Sequence, residues 1–286
     1  MASAKEIRGQ IKAIQNTAKI TKAMEMVAAS KMRKAQDRVL DARAYAEGIQ
    51  RVIANLTQAH PEYKHPFFVA RDEVKRIGLV LVTTDKGLCG GLNTNALRLA
   101  VQFVKEQKAE VEVINIGRRG GAFMRRVGVN VAGSVENIPD TPELTDILGG
   151  ADLAIEKYLE GHFDEVYLLY SEFVNTMTQK PKVQRLLPCP PSEEPSHPGY
   201  WDYIYEPEAQ VVLDGLLRRS FESLVYHATL ENKACEQSAR MVAMKSATDN
   251  ANSLVKDLQI TYNKARQAAI TQELAEIVAG SAAAQQ

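Results

Sequence analysis

Proline is absent from residues 1–57 and again from residues 208–286; all eleven prolines lie between Pro61 and Pro207. Proline breaks helix interiors, so both ends of the chain are free to form very long helices. At 1.5 Å per residue these would reach roughly 85 Å and about 118 Å, whereas a small domain is only about 30 Å across. A rod with a domain attached is therefore expected. The chain also has no run of about eighteen apolar residues, which excludes a transmembrane helix. The opening MASAKEIRGQ places charges where a signal peptide needs an apolar stretch, so a cytoplasmic protein is expected. Cysteine is scarce and odd in number: Cys89, Cys189 and Cys235 lie far apart with no CxxC spacing. That pattern fits reduced thiols and argues against a disulfide frame or a zinc site.

The 286 residues are enough for one or two domains. An apolar content of 45% with 24% charged residues is ordinary for a folded soluble protein and argues against disorder. The formal net charge is zero, but its distribution is uneven. Residues 1–57 carry eleven Lys/Arg against five Asp/Glu; residues 58–207 carry sixteen against twenty-one; residues 208–286 carry eight against nine. The N-terminal helix is basic and suits an acidic partner.

From Ile7, steps of four and three reach Ile11, Ile14, Ala18, Thr21, Glu25, Ala28, Met32, Ala35, Val39, Ala42, Ala46, Ile49, Ile53 and Leu56. Only Thr21 and Glu25 interrupt this apolar seam. A sustained 3.5-residue repeat turns one stripe toward a partner helix and implies a left-handed coiled coil. The C-terminal stretch offers matching stripes, first Leu213, Leu217, Phe221, Leu224 and Ala228, then Thr248, Ala251, Val255, Leu258, Tyr262, Ala265 and Ala269. Both helices join the same middle segment, so an antiparallel pair is expected. Gly9, Gly48 and Gly215 each cost about 1 kcal/mol of helix propensity without forcing a break. The C-terminal helix is longer by about 22 residues, roughly 33 Å, so its last turns have no partner in the chain. Ile270, Leu274, Ile277 and Val278 would then need a cover from outside, because an isolated helix is marginal in water.

Between the helices, IGLVLVT (77–83) reads as a strand buried on both faces. A helix over 93–107, a strand at VEVINIG (111–117), a short helix near Ala122–Val127 and a small strand near Val129–Ala132 follow. Pro142 opens a helix running to Glu160. A strand at EVYLLYSEFV (165–174), an extended KVQRLL (182–187) and a proline-rich loop, Pro188–Gly199, complete the segment. The alternation predicts an α/β layer with a largely parallel, Rossmann-like sheet. The expected division is 1–57, 58–207 and 208–286: helix, α/β domain, helix.

The loop TTDKGLCGGLN (83–93) lies between a strand and a helix, where backbone amides can cradle an anion. Yet GxxxxGK[ST] is absent, and neither Gly87, Gly90 and Gly91 nor IGRRGGAF (116–123) matches GxGxxG. A glycine turn is favoured over a phosphate site, and Asp85 and Lys86 read as turn and surface residues. His60, His65, His162, His197 and His227 are scattered without HExxH or other metal-ligand spacing. No GxSxG elbow exists. The residues define no catalytic set, no cofactor and no small-molecule substrate. A nucleotide-binding α/β enzyme with a coiled-coil arm remains the alternative. A nucleic-acid-binding coiled coil ranks third, since the basic helix lacks interleaved aromatics and carries frequent acids.

Four segments carry a resemblance: NTAKITKAMEMVAASKMRKAQ (16–36), TTDKGLCGGLN (83–93), ARMVAMKSATDNA (239–251) and LQITYNKARQAAITQELAEIVAG (258–280). Together they strongly resemble the gamma subunit of the rotary ATP synthase, in its bacterial form. The insertion with a regulatory cysteine pair found in chloroplast members is missing. The resemblance implies a non-catalytic shaft turning inside three alpha and three beta subunits. Its α/β domain would sit beside the epsilon subunit and the membrane ring of c subunits, at the cytoplasmic face of the inner membrane. It also implies that proton flow turns the shaft, which biases each beta site by angle. Met24 would meet an acidic segment of beta, amid the basic surface of Lys19, Lys22, Lys31, Arg33 and Lys34. Arg240, Lys245, Arg266, Gln267 and Thr271 match further head contacts, and Tyr203, Tyr205 and Glu206 match the foot that touches the c ring.

Overall fold

The computed structural model describes residues 4–59, 65–189 and 209–284. Helix α1 runs over Ala4–Ala59 and α5 over Ala209–Ala284, each continuous through its glycines. By internal contacts the chain forms two compact units, residues 1–27 with 241–286, and residues 28–240.

In the first unit the expected seam is the packed one. Ile7 and Ala18 of α1 are buried, and Ile11, Ile14, Thr21 and Glu25 are half-buried. Across from them, Met244 and Thr248 are buried and Ala251, Val255, Leu258, Tyr262 and Ala265 half-buried. The two polar interruptions are both satisfied. Thr21 Oγ1 lies 2.7 Å from Thr248 Oγ1 and also donates to the Ala18 carbonyl at 3.1 Å. Glu25 accepts from Lys22 at 3.1 Å. The threonine pair fixes the register that the sequence left open. Stepping away from it along two antiparallel helices sets Ala18 level with Ala251 and Ile14 with Val255. The same register brings Ile7 level with Tyr262 and Ala4 with Ala265. Every position from 266 to 278 is exposed, as that register requires.

The second unit is built on a five-stranded sheet ordered β3-β2-β1-β4-β5. Its elements are β1 (Arg76–Val82), α2 (Leu92–Glu106), β2 (Glu110–Ile116), α3 (Arg118–Arg126), β3 (Asn130–Val135), α4 (Leu148–Leu159), β4 (Glu165–Asn175) and β5 (Thr178–Leu187). The first four strands are mutually parallel, and β5 returns antiparallel to β4 as a hairpin. Alternating residues divide between two cores, as a strand buried on both faces demands. Val80, Val82, Ile114, Ile116 and Leu168 face α4 and the Leu213–Ala228 stripe of α5. Ile77, Leu79, Leu81, Val111 and Val113 face α2 and Met124 of α3. The apolar stripe at the start of α5 thus packs on the sheet. Ala28, Ala35 and Ile49 of α1 are buried within the same unit.

One expectation changes. The single helix drawn from Pro142 to Glu160 is a 3₁₀ turn at Leu144–Asp146 followed by α4. Asp146 accepts from the Glu143 amide at 2.8 Å, closing a reciprocal cap that starts the turn at Glu143, past Pro142 and separate from α4.

The buried charges at the opposite, N-terminal edge of the sheet are paired. Asp164 takes the Lys75 and Arg76 amides at 2.8 and 2.9 Å and Arg71 at 3.0 Å. Glu112 takes Lys157 at 2.9 Å and His162 at 2.8 Å. Burial alone would raise both carboxyls, but these donors outweigh it and hold both below their ordinary values.

Candidate functional site

The crevice at the carboxyl ends of β1 and β4, where the strand order reverses, is where an open α/β sheet binds ligands. Here the chain fills it with its own groups. Thr83 Oγ1 donates to the Gly117 carbonyl at 3.1 Å and accepts the Gly120 amide at 2.9 Å. The Thr84 hydroxyl donates to the Lys86 carbonyl at 2.6 Å and accepts from Asn93 at 2.7 Å. Gly120 approaches the Asn115 side chain so closely that a Cβ would collide with Oδ1, a buried atom with no hydrogen-bond partner of its own. Asp85 accepts three backbone amides, from Arg118 at 3.0 Å, Asn137 at 3.2 Å and Ile138 at 2.9 Å. Cys89 and Leu92 pack with Cys235 of α5, flanked by Phe173 and Ala239. With its carboxylate taken up by these three amides, Asp85 is a structural turn residue.

Nor do the thiols offer a nucleophile. Burial pushes Cys189 up to about 11 and raises Cys89 and Cys235 as well, so the reactive thiolate is scarce. His65 accepts the Phe67 amide at 3.0 Å, and burial lowers it despite Asp214 at 3.4 Å. Among the described residues no cluster of His, Cys, Asp and Glu is arranged to hold a metal, and no helix is long and apolar enough to cross a membrane. An open cleft of about 400 Å³ between α1, α5 and the 3₁₀ turn is lined in part by Arg38, Tyr45, Arg219 and Tyr226.

The remaining candidates are surfaces, and those expected from the sequence fall into three groups. In the unit formed by residues 1–27 and 241–286, Met24 is half-buried beside the seam, while Lys19, Lys22, Lys245, Arg266, Gln267 and Thr271 are exposed. Arg266 and Gln267 stand where α5 runs past its last half-buried seam residue, Ala265. Beyond them Ile270, Leu274, Ile277 and Val278 are 48–67% exposed, a bare apolar face.

The second group lies in the other unit, where several residues are engaged internally. Lys31 pairs with Asp140 at 2.6 Å. Arg240 is bound to Glu236 at 2.7 Å and donates to the Gly87 carbonyl at 3.2 Å. Only Arg33 and Lys34 of this group are simply exposed. The third group, Tyr203, Tyr205 and Glu206, lies outside the described residues. Sequence reasoning passed over Ile20, Met26 and Val27, whose side chains are more than half exposed. The signal was present: Ile20 and Val27 are apolar, one heptad apart, and off the seam.

Similarity to known proteins covers nearly the whole chain. The family model described as ATP synthase matches residues 3–284. The ATP synthase gamma chain of Thiobacillus denitrificans is 56% identical over 99% of this chain and 100% of its own length. That of Legionella pneumophila is 54% identical over the same shares. Among solved structures, the central stalk and c-ring of the Tetrahymena thermophila mitochondrial ATP synthase contains a chain of TM-score 0.63 at 27% identity, covering 80% of this chain and 99% of that one. The rotor of the Euglena gracilis mitochondrial ATP synthase shares the fold, with TM-score 0.65 at 20% identity over 93% and 98%.

Proposed function

The chain belongs to the ATP synthase gamma family, the non-catalytic central stalk of the F-type enzyme, and on that footing we propose how its surfaces work. Three alpha and three beta subunits surround the first unit and also meet Lys31, Arg33, Lys34 and Arg240 of the second, whose remaining surface engages the epsilon subunit and c ring. The complex holds the chain at the cytoplasmic face of a bacterial inner membrane. Proton flow turns the ring and the stalk with it. Each beta subunit meets a different face of an asymmetric helix pair and is biased toward a different conformation, since a ligand shifts an equilibrium only by its differential contacts.

The observation that supports this reading is the bare end of α5, with every position from 266 to 278 exposed and four large apolar side chains among them. Apolar surface of that kind is expected where a partner covers it. Met24, the basic residues Lys19, Lys22, Lys31, Arg33 and Lys34, and Arg240, Lys245, Arg266, Gln267 and Thr271 are assigned to the head. Tyr203, Tyr205 and Glu206 are assigned to the c ring. Lys31 and Arg240 also hold their helices to the α/β domain, Lys31 through Asp140 and Arg240 through the Gly87 carbonyl.

Affinity purification of the tagged chain from its host tests the assembly, with alpha, beta, epsilon and c subunits expected to come down together. Recovery of the chain alone would refute it. The Met24 contact is tested by Met24→Lys, which sets a cation beside an acidic segment and tightens one rotary position. The expected result is ATP hydrolysis retained with fewer protons pumped per ATP. Unaltered coupling would remove Met24 from the interface.

A further inference from the structure

The loop between β3 and α4, ENIPDTPE (136–143), grips both long helices. Asp140 takes Lys31 of α1 at 2.6 Å. The Pro142 carbonyl accepts from Arg38 of α1 at 3.4 Å and from Tyr226 of α5 at 3.1 Å. The Ile138 carbonyl accepts from Lys233 of α5 at 3.1 Å, and Lys233 itself is buried. Four links from three residues therefore reach two helices, all within the unit of residues 28–240. The root of the loop is anchored too, because Asp85, just beyond β1, holds the Asn137 and Ile138 amides. Pro139 and Pro142 stiffen the intervening backbone, since each ring fixes its own φ. Asn137 adopts a φ of 61°, a left-handed turn that asparagine tolerates better than most residues.

We propose that this loop is a collar, and that Lys31, Arg38, Tyr226 and Lys233 are positioning residues that lock the helix pair to the sheet against twisting. The proposal rests on the reading of the chain as a rotating stalk. Torque entering through the α/β domain must pass into α1 and α5, and apolar packing alone resists sliding weakly because it is non-directional. Directional bonds to both helices from one anchored loop supply the resistance. A short continuous path runs from β1 through Asp85 and Ile138 to Lys233, and onward through Asp140 to Lys31. Coupling along this path is read as the torsional stiffness of the joint.

The measurement uses the assembled complex, with its head fixed, a probe on the α/β domain and rotation stalled by nucleotide. The angular variance of the probe reports torsional stiffness. Tyr226→Phe with Asp140→Ala removes two of the four links, since neither new side chain can donate to or accept from the helices. If the links act independently, the variance arising at this joint rises about twofold. Lys31→Asp alone should also raise the variance, and adding Asp140→Lys should return it toward the wild-type value by re-forming the pair. A purely structural role would shift stability without that recovery.

The swap carries the test even if the first variant assembles poorly. Equal variance in wild type, Lys31→Asp and the swapped pair overturns the collar, as does a swap no stiffer than the single reversal. Failure of the wild-type complex to rotate at all would instead overturn the rotary reading.

Discussion

Replacing Glu231 with glutamine should stabilise the protein in alkaline but not in acidic solution. Glu231 lies on α5, and its Oε2 is buried without a hydrogen-bond partner. Burial and then Glu172 push its carboxyl up to about 7, against the weaker pull of Lys182 and Arg43. The folded state therefore keeps a proton that the unfolded chain releases near 4.5. Between those values the native state binds more protons, so stability falls as pH rises from about 4.5 to about 7 and levels off above.

Each pH unit of displacement is worth about 1.4 kcal/mol, which sets a ceiling of about 3 kcal/mol. Glu231 is only partly buried, and solvent screening reduces the expected cost to roughly 1.5 kcal/mol. Glutamine resembles the protonated acid and escapes the penalty. Thermal unfolding of wild type and Glu231→Gln at pH 5 and pH 8 would show it. The variant should gain about 3 °C at pH 8, at roughly 2 °C per kcal/mol for a chain of this size, and almost nothing at pH 5. A gain equal at both pH values, or none at pH 8, would refute the assignment.

Two further outcomes follow from packing. Truncation after Leu274 takes away Ile277 and Val278, both exposed, so the melting of the isolated chain should barely move while assembly with alpha and beta weakens; normal assembly would show that the tail needs no housing. Gly78→Ala should cost about 1–3 kcal/mol through overpacking, since a Cβ there would lie 2.7 Å from the Phe163 ring; denaturant unfolding with an unchanged midpoint would show that the ring gives way freely.

Periodicity alone fixed the long helices and the seam between them. Thirteen apolar positions at 3.5-residue spacing mark one face of a long helix for burial, and the seam residues whose burial is described are all buried or half-buried. The strands of the α/β layer were legible for the same reason, as apolar runs short enough to cross one sheet. The family, too, was legible from four local segments, because each is a run of consecutive residues.

What sequence could not supply is every relation between distant residues. The Thr21–Thr248 pair sets the register, and nothing in either helix alone names the other's partner. The antiparallel return of β5 and the turn that splits Pro142 from α4 depend on pairings and caps formed only in the fold. The crevice beside TTDKGLCGGLN looks open in one dimension. Only α5, arriving from more than 140 residues away, fills it with Cys235. The engagement of Lys31 by Asp140 and of Arg240 by the Gly87 carbonyl is of the same kind, because a basic residue reads as free surface until the fold brings an acceptor to it. Local spacing determines which face of an element is buried; which element covers it is decided by three-dimensional contact, where partners remote in sequence meet.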